Sequence, residues 1–281
     1  MSSLSAENSL LLWALGALVY WLGVHVMLAA LRDARREPGL RDNWFNLLLA
    51  GLAIGSVLCA GMVVALTGNT MGFALGFSTW AGVGLVCGAL VGGVVVSLLL
   101  GLWIGWPSTV IGGLLLGTLT VAVQVGWLAS AGFRPGITWR PDAVAMAAGA
   151  AVVGAVIALL LAFSEGASFS RARLRWRLAA AGVLVGAIVG AQDLLIAGSR
   201  LGTQVGSVFQ NQLPGPMLAL VFGSVVPLLL VVAALDLRAA RRKRRAPGEA
   251  VIDDNVSAFS AYPPNAPGAR KRRRRTRIRS L

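Results

Sequence analysis

Acidic residues are scarce in this sequence: Asp and Glu together number 11 among 281 residues, and charged residues of all kinds make up only 13%. A water-soluble domain needs more charge than this to cover its surface, so the scarcity argues against an ordinary soluble fold. Hydrophobic residues amount to 57%, and the mean hydropathy is +0.76. The composition therefore indicates an integral membrane protein.

Histidine and cysteine are also nearly missing. His25 is the sole histidine, so no second imidazole exists to build a histidine metal site, and we expect a packing role for it. Cys59 and Cys87 lie in apolar runs at different expected membrane depths, which argues against a disulfide between them. The sequence holds no serine-nucleophile motif, phosphate loop or zinc-binding spacing. We therefore predict no metal site and no enzymatic activity.

Long apolar runs dominate what is present, and seven of them reach the roughly 20 residues that a membrane-spanning helix needs. They cover about residues 10–31, 44–67, 76–102, 108–132, 142–163, 178–199 and 214–236. The sequence thus predicts an all-α polytopic membrane protein. Its parts are a short N-terminal tail (1–9), a seven-helix transmembrane domain (10–237) and a C-terminal tail (238–281).

Basic residues in the short loops predict the orientation, because cytoplasmic loops are enriched in Lys and Arg. Four arginines lie in "RDARREPGLRD" after the first run, and four more in and beside "SRARLRW" after the fifth. Of the 25 Lys and Arg residues, 14 lie from Arg238 onward. We therefore predict an exterior N-terminus and a cytoplasmic C-terminus. Heavy use of Arg, Ala and Gly further suggests the inner membrane of a high-GC bacterium.

Three segments repeat one pattern: "GLAIGSVLCAGM", "GLLLGTLTVAVQ" and "GVLVGAIVGAQD". Each begins with a glycine pair four residues apart, and a tryptophan lies six or seven residues before it. The first glycines are 62 and 69 residues apart, which places the segments on the second, fourth and sixth spans. We interpret the domain as three two-helix repeats plus one helix. The predicted packing glycines are Gly51, Gly55, Gly113, Gly117, Gly182 and Gly186.

The twelfth position of each segment predicts a candidate site. Eleven residues at about 100° each come within about 20° of three full turns, so this position shares a face with the first glycine. Met62, Gln124 and Asp193 occupy it. We expect all three side chains to point into the bundle and meet near the exterior surface, with Gln124 and Asp193 hydrogen-bonded. Asp193 is an intramembrane carboxylate, a residue type that is functional by default. The alternative is a structural role, because Asp193 lies near the outer end of its span, where it could reach water or pair with Arg200.

The repeat resembles that of the MHYT domain, a bacterial seven-helix sensory membrane module whose repeat reads approximately G-x-x-M-G-x-G-I-x-x-M-H-Y-x-G-M. The similarity covers about residues 10–238 and lies in spacing, topology and helix number. It implies copper as the cofactor, held by the motif His and Met, and a diatomic gas as the signal. Here Met62, Gln124 and Asp193 stand at the histidine positions, so the usual copper ligands are absent. Copper is therefore implied by the resemblance alone, and the sequence identifies no other cofactor.

Two further residues are secondary candidates. Cys59 lies three positions before Met62 and shares roughly its face, so the two could form a soft pair of ligands, although packing explains both. His25 lies in the half of the first span nearer the cytoplasm.

The tail contains two basic blocks separated by a segment rich in Pro, Ala, Ser and Gly, a composition typical of disorder. The first block adjoins the seventh span, and its positive charge is explained by a cytoplasmic position alone. The second block lies about 25 residues away and is not needed to set the orientation. We predict that the second block binds anionic inner-leaflet lipids rather than nucleic acid, because it lacks interleaved aromatics for base stacking. Its basic residues are Arg270, Lys271, Arg272, Arg273, Arg274, Arg275, Arg277 and Arg279.

Three functions remain open from the sequence. The first is a sensory or regulatory membrane module like an MHYT domain, with altered ligand positions. The second is a small solute or proton transporter or channel, whose polar path would be lined by Asp193 and Gln124. The third is a membrane scaffold that recruits partners or lipid through the basic tail.

Overall fold

Seven α-helices make up nearly all of the part of the chain that the structure describes. The computed structural model describes residues 2–36, 40–68, 75–103, 105–134, 136–163, 170–201, 206–209 and 211–260. The helices are α1 Ser2–Arg36, α2 Leu40–Gly68, α3 Thr79–Leu102, α4 Trp106–Ser130, α5 Pro141–Phe163, α6 Ser170–Gly198 and α7 Gly215–Ser260. Each is long and apolar enough to cross a membrane. The prediction of an all-α, multi-pass membrane protein is confirmed.

The helix ends differ from the predicted spans mainly at the third and seventh. The third run was expected to begin at residue 76, but α3 begins at Thr79 because Gly76 and Phe77 form a short strand. The seventh span was expected to end near 236, whereas the helical backbone of α7 continues to Ser260. The first part of the predicted tail is therefore helical here. The basic block at 270–279 lies outside the described residues, and its disorder and lipid binding stay predictions.

Six helices form a closed ring in chain order. Helices α1 through α6 each pack on the next one, and α6 packs back on α1; further contacts join α1 to α3, α2 to α4 and α4 to α6. In the apolar stretch of α2, 78% is buried inside the bundle, whereas only 17% is buried in that of α7. Helix α2 is thus central and α7 peripheral. The chain has two compact units: the bundle belongs to Met1–Ala234, and the rest of α7 belongs to a second unit that begins at Leu235.

One end of the ring is covered by loops that pair with one another. Strand β1 (Gly76–Phe77) pairs with β6 (Leu213–Pro214), β2 (Phe133–Arg134) with β5 (Gly206–Ser207), and β3 (Ile137–Trp139) with β4 (Ser199–Leu201), all antiparallel. The buried Ser207 hydroxyl donates to the carbonyl oxygens of Gly76 at 2.9 Å and of Ala131 at 2.7 Å. This side chain therefore joins the α2–α3, α4–α5 and α6–α7 connections. We call this end the paired-loop end.

Arginines of α1 hold the opposite end together. The Arg35 Nε donates to the Leu100 carbonyl of α3 at 2.7 Å, and Arg32 Nε to the Ala162 carbonyl of α5 at 3.4 Å. Both acceptors lie in the last turn of their helices, where carbonyls lack helical partners and the helix dipole favours cations. The Arg35 guanidinium also lies 3.6 Å above the centre of the Phe163 ring. These basic residues therefore stabilise the bundle itself.

Candidate functional site

The three predicted site residues lie in different environments, two of them buried and one exposed. Met62 and Gln124 are fully buried in the bundle. The structure places Asp193 differently: its side chain is exposed and lies near Trp13 of α1. The expected hydrogen bond between Asp193 and Gln124 is replaced by one from Gln124 Nε2 to the Ile188 carbonyl, at 2.9 Å.

Gln192 takes the inward position on α6 that was expected of Asp193. Its side chain is 1% exposed, and its Oε1 accepts a hydrogen bond of 2.9 Å from the Tyr20 hydroxyl of α1. Adjacent helical residues point about 100° apart, so Gln192 and Asp193 cannot both face the core. Tyr20 was not predicted, because its helix contains none of the three similar sequence segments. The signal for Gln192 in the sequence was its position as a polar residue directly before Asp193.

Glycine on α2 makes room for the tyrosine. A Cβ atom built on Gly61 would overlap the Tyr20 ring, so only glycine fits at this position. The Tyr20 hydroxyl lies beside Gln124 and close to Cys59 as well. Helices α1, α2, α4 and α6 therefore converge on one phenol.

Cys59 and Trp127 extend the group toward the paired-loop end. The Cys59 thiol lies 4.0 Å from the Leu85 carbonyl and next to the Trp127 indole. Phe77 and Phe222 contact the Trp127 ring edge to face, with centroids 5.3 and 6.2 Å away. We call the set Tyr20, Cys59, Gln124, Trp127 and Gln192 the polar core.

Two atoms of the polar core lack hydrogen-bond partners. They are Gln124 Oε1, an acceptor, and Trp127 Nε1, a donor; both are buried, and neither meets a partner of hydrogen-bonding geometry among the described residues. Gln124 and Trp127 are three residues apart on α4 and so share a face. An unsatisfied buried polar group costs about 1–3 kcal/mol, so leaving these two atoms without partners is costly for the bundle.

The remaining candidates lie apart from one another or outside the described part of the chain. His25 stacks on Trp21 with ring centroids 5.4 Å apart. It lies about 7.5 Å from Tyr20 along α1 at 1.5 Å per residue. The tail residues 270–279 are beyond the described ranges.

Copper does not fit the residues that the structure brings together. Cys59 and Met62 are both buried on one side of α2, and they are the soft ligands near the polar core. Within the described ranges, no group of three or more His, Cys, Asp or Glu is close enough to hold a metal ion. A thiol and a thioether, with amides and a phenol around them, do not make a copper centre of the kind that the MHYT resemblance implies.

The glycine pairs of α2 and α4 lie against the backbones of the following helices. A Cβ on Gly51 would lie 2.6 Å from the Val94 backbone nitrogen, and one on Gly113 would lie 2.7 Å from the Val156 Cα. Gly55 and Gly117 similarly abut the backbones of α3 and α5. On α6, by contrast, no described atom lies within 4 Å of a Cβ built on Gly186, and Gly182 meets only the Trp21 ring, at 3.9 Å.

Comparisons with known protein families, curated proteins and solved structures find no match to this chain.

Proposed function

We propose that this protein is a sensory or regulatory membrane module, an MHYT-like domain that uses its polar core in place of a metal centre. The observation that carries the proposal is the pair of unpartnered atoms in that core, Gln124 Oε1 and Trp127 Nε1. They would be matched by a small uncharged molecule that donates one hydrogen bond and accepts another. Burial between four helices would let such a molecule change how those helices pack.

Equivalent packing in two parts of the chain supports the three-repeat architecture. Val94 follows Gly51 by 43 residues, and Val156 follows Gly113 by the same number. Leu90 and Val152 likewise each follow their glycine, Gly55 or Gly117, by 35 residues. Two helix pairs with one register are expected of repeats. The paired-loop end would then be the exterior surface of a bacterial inner membrane, and the basic tail would be cytoplasmic.

The transport alternative is less well supported. Its polar path depended on Asp193 facing Gln124, and the exposed position of Asp193 removes that pairing. Tyr20, Gln124 and Gln192 are instead each no more than 1% exposed. A set of polar side chains without exposure to solvent fits a sensor better than a transport pathway. The scaffold alternative depends on tail residues outside the described ranges.

Ligand-linked stabilisation tests the proposal. The full-length protein in lipid nanodiscs would be heated with increasing formamide or methanol, small molecules that both donate and accept hydrogen bonds. At low concentrations the Tm should rise through binding to the folded state, and the rise should disappear in Gln124→Leu, which keeps a similar volume without the amide. Equal shifts in both proteins would contradict a site at Gln124.

Flux measurements separate the sensor from the transporter. Proteoliposomes with an internal pH dye and an imposed pH gradient should leak protons no faster than empty liposomes. Proton flux that Gln124→Leu abolishes would select the transport alternative instead.

A further inference from the structure

The glycine face of α6 is the uncovered counterpart of two covered faces. In the first two units the glycine pair lies against the backbone of the next helix, at Val94 and Leu90 of α3 and at Val156 and Val152 of α5. The same separations of 43 and 35 residues, counted from Gly182 and Gly186, lead to Val225 and Val221 of α7. The sequence thus supplies a third matching pair of faces.

Among the described residues these two faces do not meet: a Cβ on Gly182 would contact only the Trp21 ring of α1, at 3.9 Å. No described atom lies within 4 Å of a Cβ at Gly186 or Gly190. The side chains of Val221 and Val225 are 42% and 46% exposed. Gly186 is itself exposed, whereas its counterparts Gly55 and Gly117 are buried.

The missing cover also accounts for the position of Asp193. Its counterparts Met62 and Gln124 are 0% exposed. Asp193 is exposed, as Gly186 is, so a carboxylate lies on the surface of a membrane span, which is costly. If α6 paired with α7 in the register that α2 has with α3 and α4 has with α5, residue 214 would lie opposite Asp193. The first turn of a helix beginning at Gly215 would place its positive dipole end there.

The chain's own α7 is held elsewhere. Gly215 N donates to the Leu75 carbonyl at 2.8 Å. Phe222 contacts Trp127 of α4, and a Cβ on Gly223 would lie 3.4 Å from Leu15 and 3.5 Å from Val64. These contacts fix the first two turns of α7 against α1, α2 and α4 and leave its Val221 and Val225 side chains outward.

We propose that α7 of a second copy of this chain covers the glycine face of α6, with Val221 opposite Gly186 and Val225 opposite Gly182. Reciprocal exchange makes a twofold dimer, in which two equivalent contacts form at once. Small residues let the two backbones approach closely, as they do in the first two units. The proposal rests on the three-repeat architecture proposed above and is independent of ligand binding.

Cross-linking between two differently tagged chains tests the register. Both chains carry Cys59→Ala and Cys87→Ser; one also carries Gly186→Cys and the other Val221→Cys. Oxidation in native membranes should produce a disulfide-linked species that contains both tags. The matched control pairs Gly186→Cys with Val232→Cys, which is also exposed but lies three turns farther along α7, and it should form little or none.

Equal cross-linking of the two pairs, or none, would overturn the proposal. So would a disulfide formed only within single chains that carry both Gly186→Cys and Val221→Cys, because the chain's own α7 would then be the cover.

Mass measurement supplies a second test. The wild-type protein in nanodiscs or mild detergent should be a dimer, and Gly186→Leu should be a monomer. Gly88→Leu is the control: no described atom lies within 4 Å of a Cβ at either glycine, so neither leucine strains its own chain, and Gly88→Leu should stay dimeric. A monomeric wild type, or equal masses for the two variants, would overturn the proposal. A monomer that keeps the formamide-linked stabilisation would leave the proposed function standing.

Discussion

At the scale of single residues, a tyrosine hydroxyl connects the helices of the bundle. Tyr20 donates to Gln192 across two helices that are distant in sequence, and Gln124 lies beside it. Removing one partner of a buried hydrogen bond leaves the other unsatisfied, whereas replacing both with apolar groups can be nearly neutral. The polar core is therefore sensitive to single substitutions and tolerant of matched ones.

Tyr20→Phe should lower the free energy of unfolding by about 1–3 kcal/mol, because Gln192 Oε1 loses its donor. The double variant Tyr20→Phe/Gln192→Leu should be less destabilised than the sum of the two single variants. Denaturant unfolding of the four proteins in one detergent measures the cycle. Strict additivity would show that the hydrogen bond contributes nothing.

Gly61→Ala should destabilise the protein by about 1–3 kcal/mol, since overpacking a filled core forces side chains to move. The added methyl would overlap the Tyr20 ring. Gly149→Ala on α5 is the control: its Cβ would meet no described atom within 4 Å, and alanine is the better helix former. Thermal unfolding of both variants gives the comparison, and equal Tm values would contradict the packing described here.

The limits of sequence-based prediction are visible at these residues. The glycine spacing predicts inward side chains for Met62 and Gln124, because eleven residues nearly complete whole turns, and the structure buries both. The same argument failed for Asp193, since periodicity fixes a face only relative to its own helix. How far α6 rotates depends on which helix covers it. Tyr20 lies in a span without a repeat, so no pattern pointed to its role.

At the scale of elements, the glycine pairs set how closely neighbouring helices approach. The Cβ positions at Gly55 and Gly117 would collide with backbone atoms of the next helix, which cannot move aside as a side-chain end can. The packing is therefore specific to glycine on α2 and α4.

Gly55→Ile and Gly117→Ile should therefore be severely and similarly destabilised, by more than the roughly 1–3 kcal/mol typical of an overpacked side chain. Gly84→Ile on α3 should be tolerated, because no described atom lies within 4 Å of its Cβ. Expression level and Tm in the same detergent check this. Equal tolerance at all three sites would contradict the close helix approach.

The paired-loop end offers a second test at this scale. Ser207→Ala removes the donor to two carbonyls that belong to different loops. It should cost about 1–3 kcal/mol and speed hydrogen exchange in residues 75–78 and 131–134. Ser224→Ala is the control, because this exposed serine bonds only within its own helix, to Leu220 at 2.7 Å and Val221 at 3.4 Å. Unchanged exchange in Ser207→Ala would show that the loops are held by other contacts.

The strands at this end were not predictable from the sequence. Each has only two or three residues, too few for an alternating pattern, and the partners come from loops far apart in the chain. The seven helices, in contrast, were predictable because each presents a long apolar run.

At the scale of the whole molecule, six helices close a ring and the seventh stays at its edge. Two adjacent helix pairs share one register, and the third pair has the matching residues without the contact. Among the described residues, the glycine pairs of α2 and α4 therefore contact the backbones of α3 and α5, whereas the glycine pair of α6 makes no such contact with α7. A second copy would supply this contact.

An experimental structure of the full-length protein in a lipid bilayer tests the central claim, that the chain repeats one two-helix unit three times, most directly. Residues 51–62 with 83–94 should superimpose on residues 113–124 with 145–156, and residues 182–193 should superimpose with an α7 segment, 214–225, in the same register. An α6 glycine face that contacts only lipid, or first and second units that do not superimpose, would contradict the account.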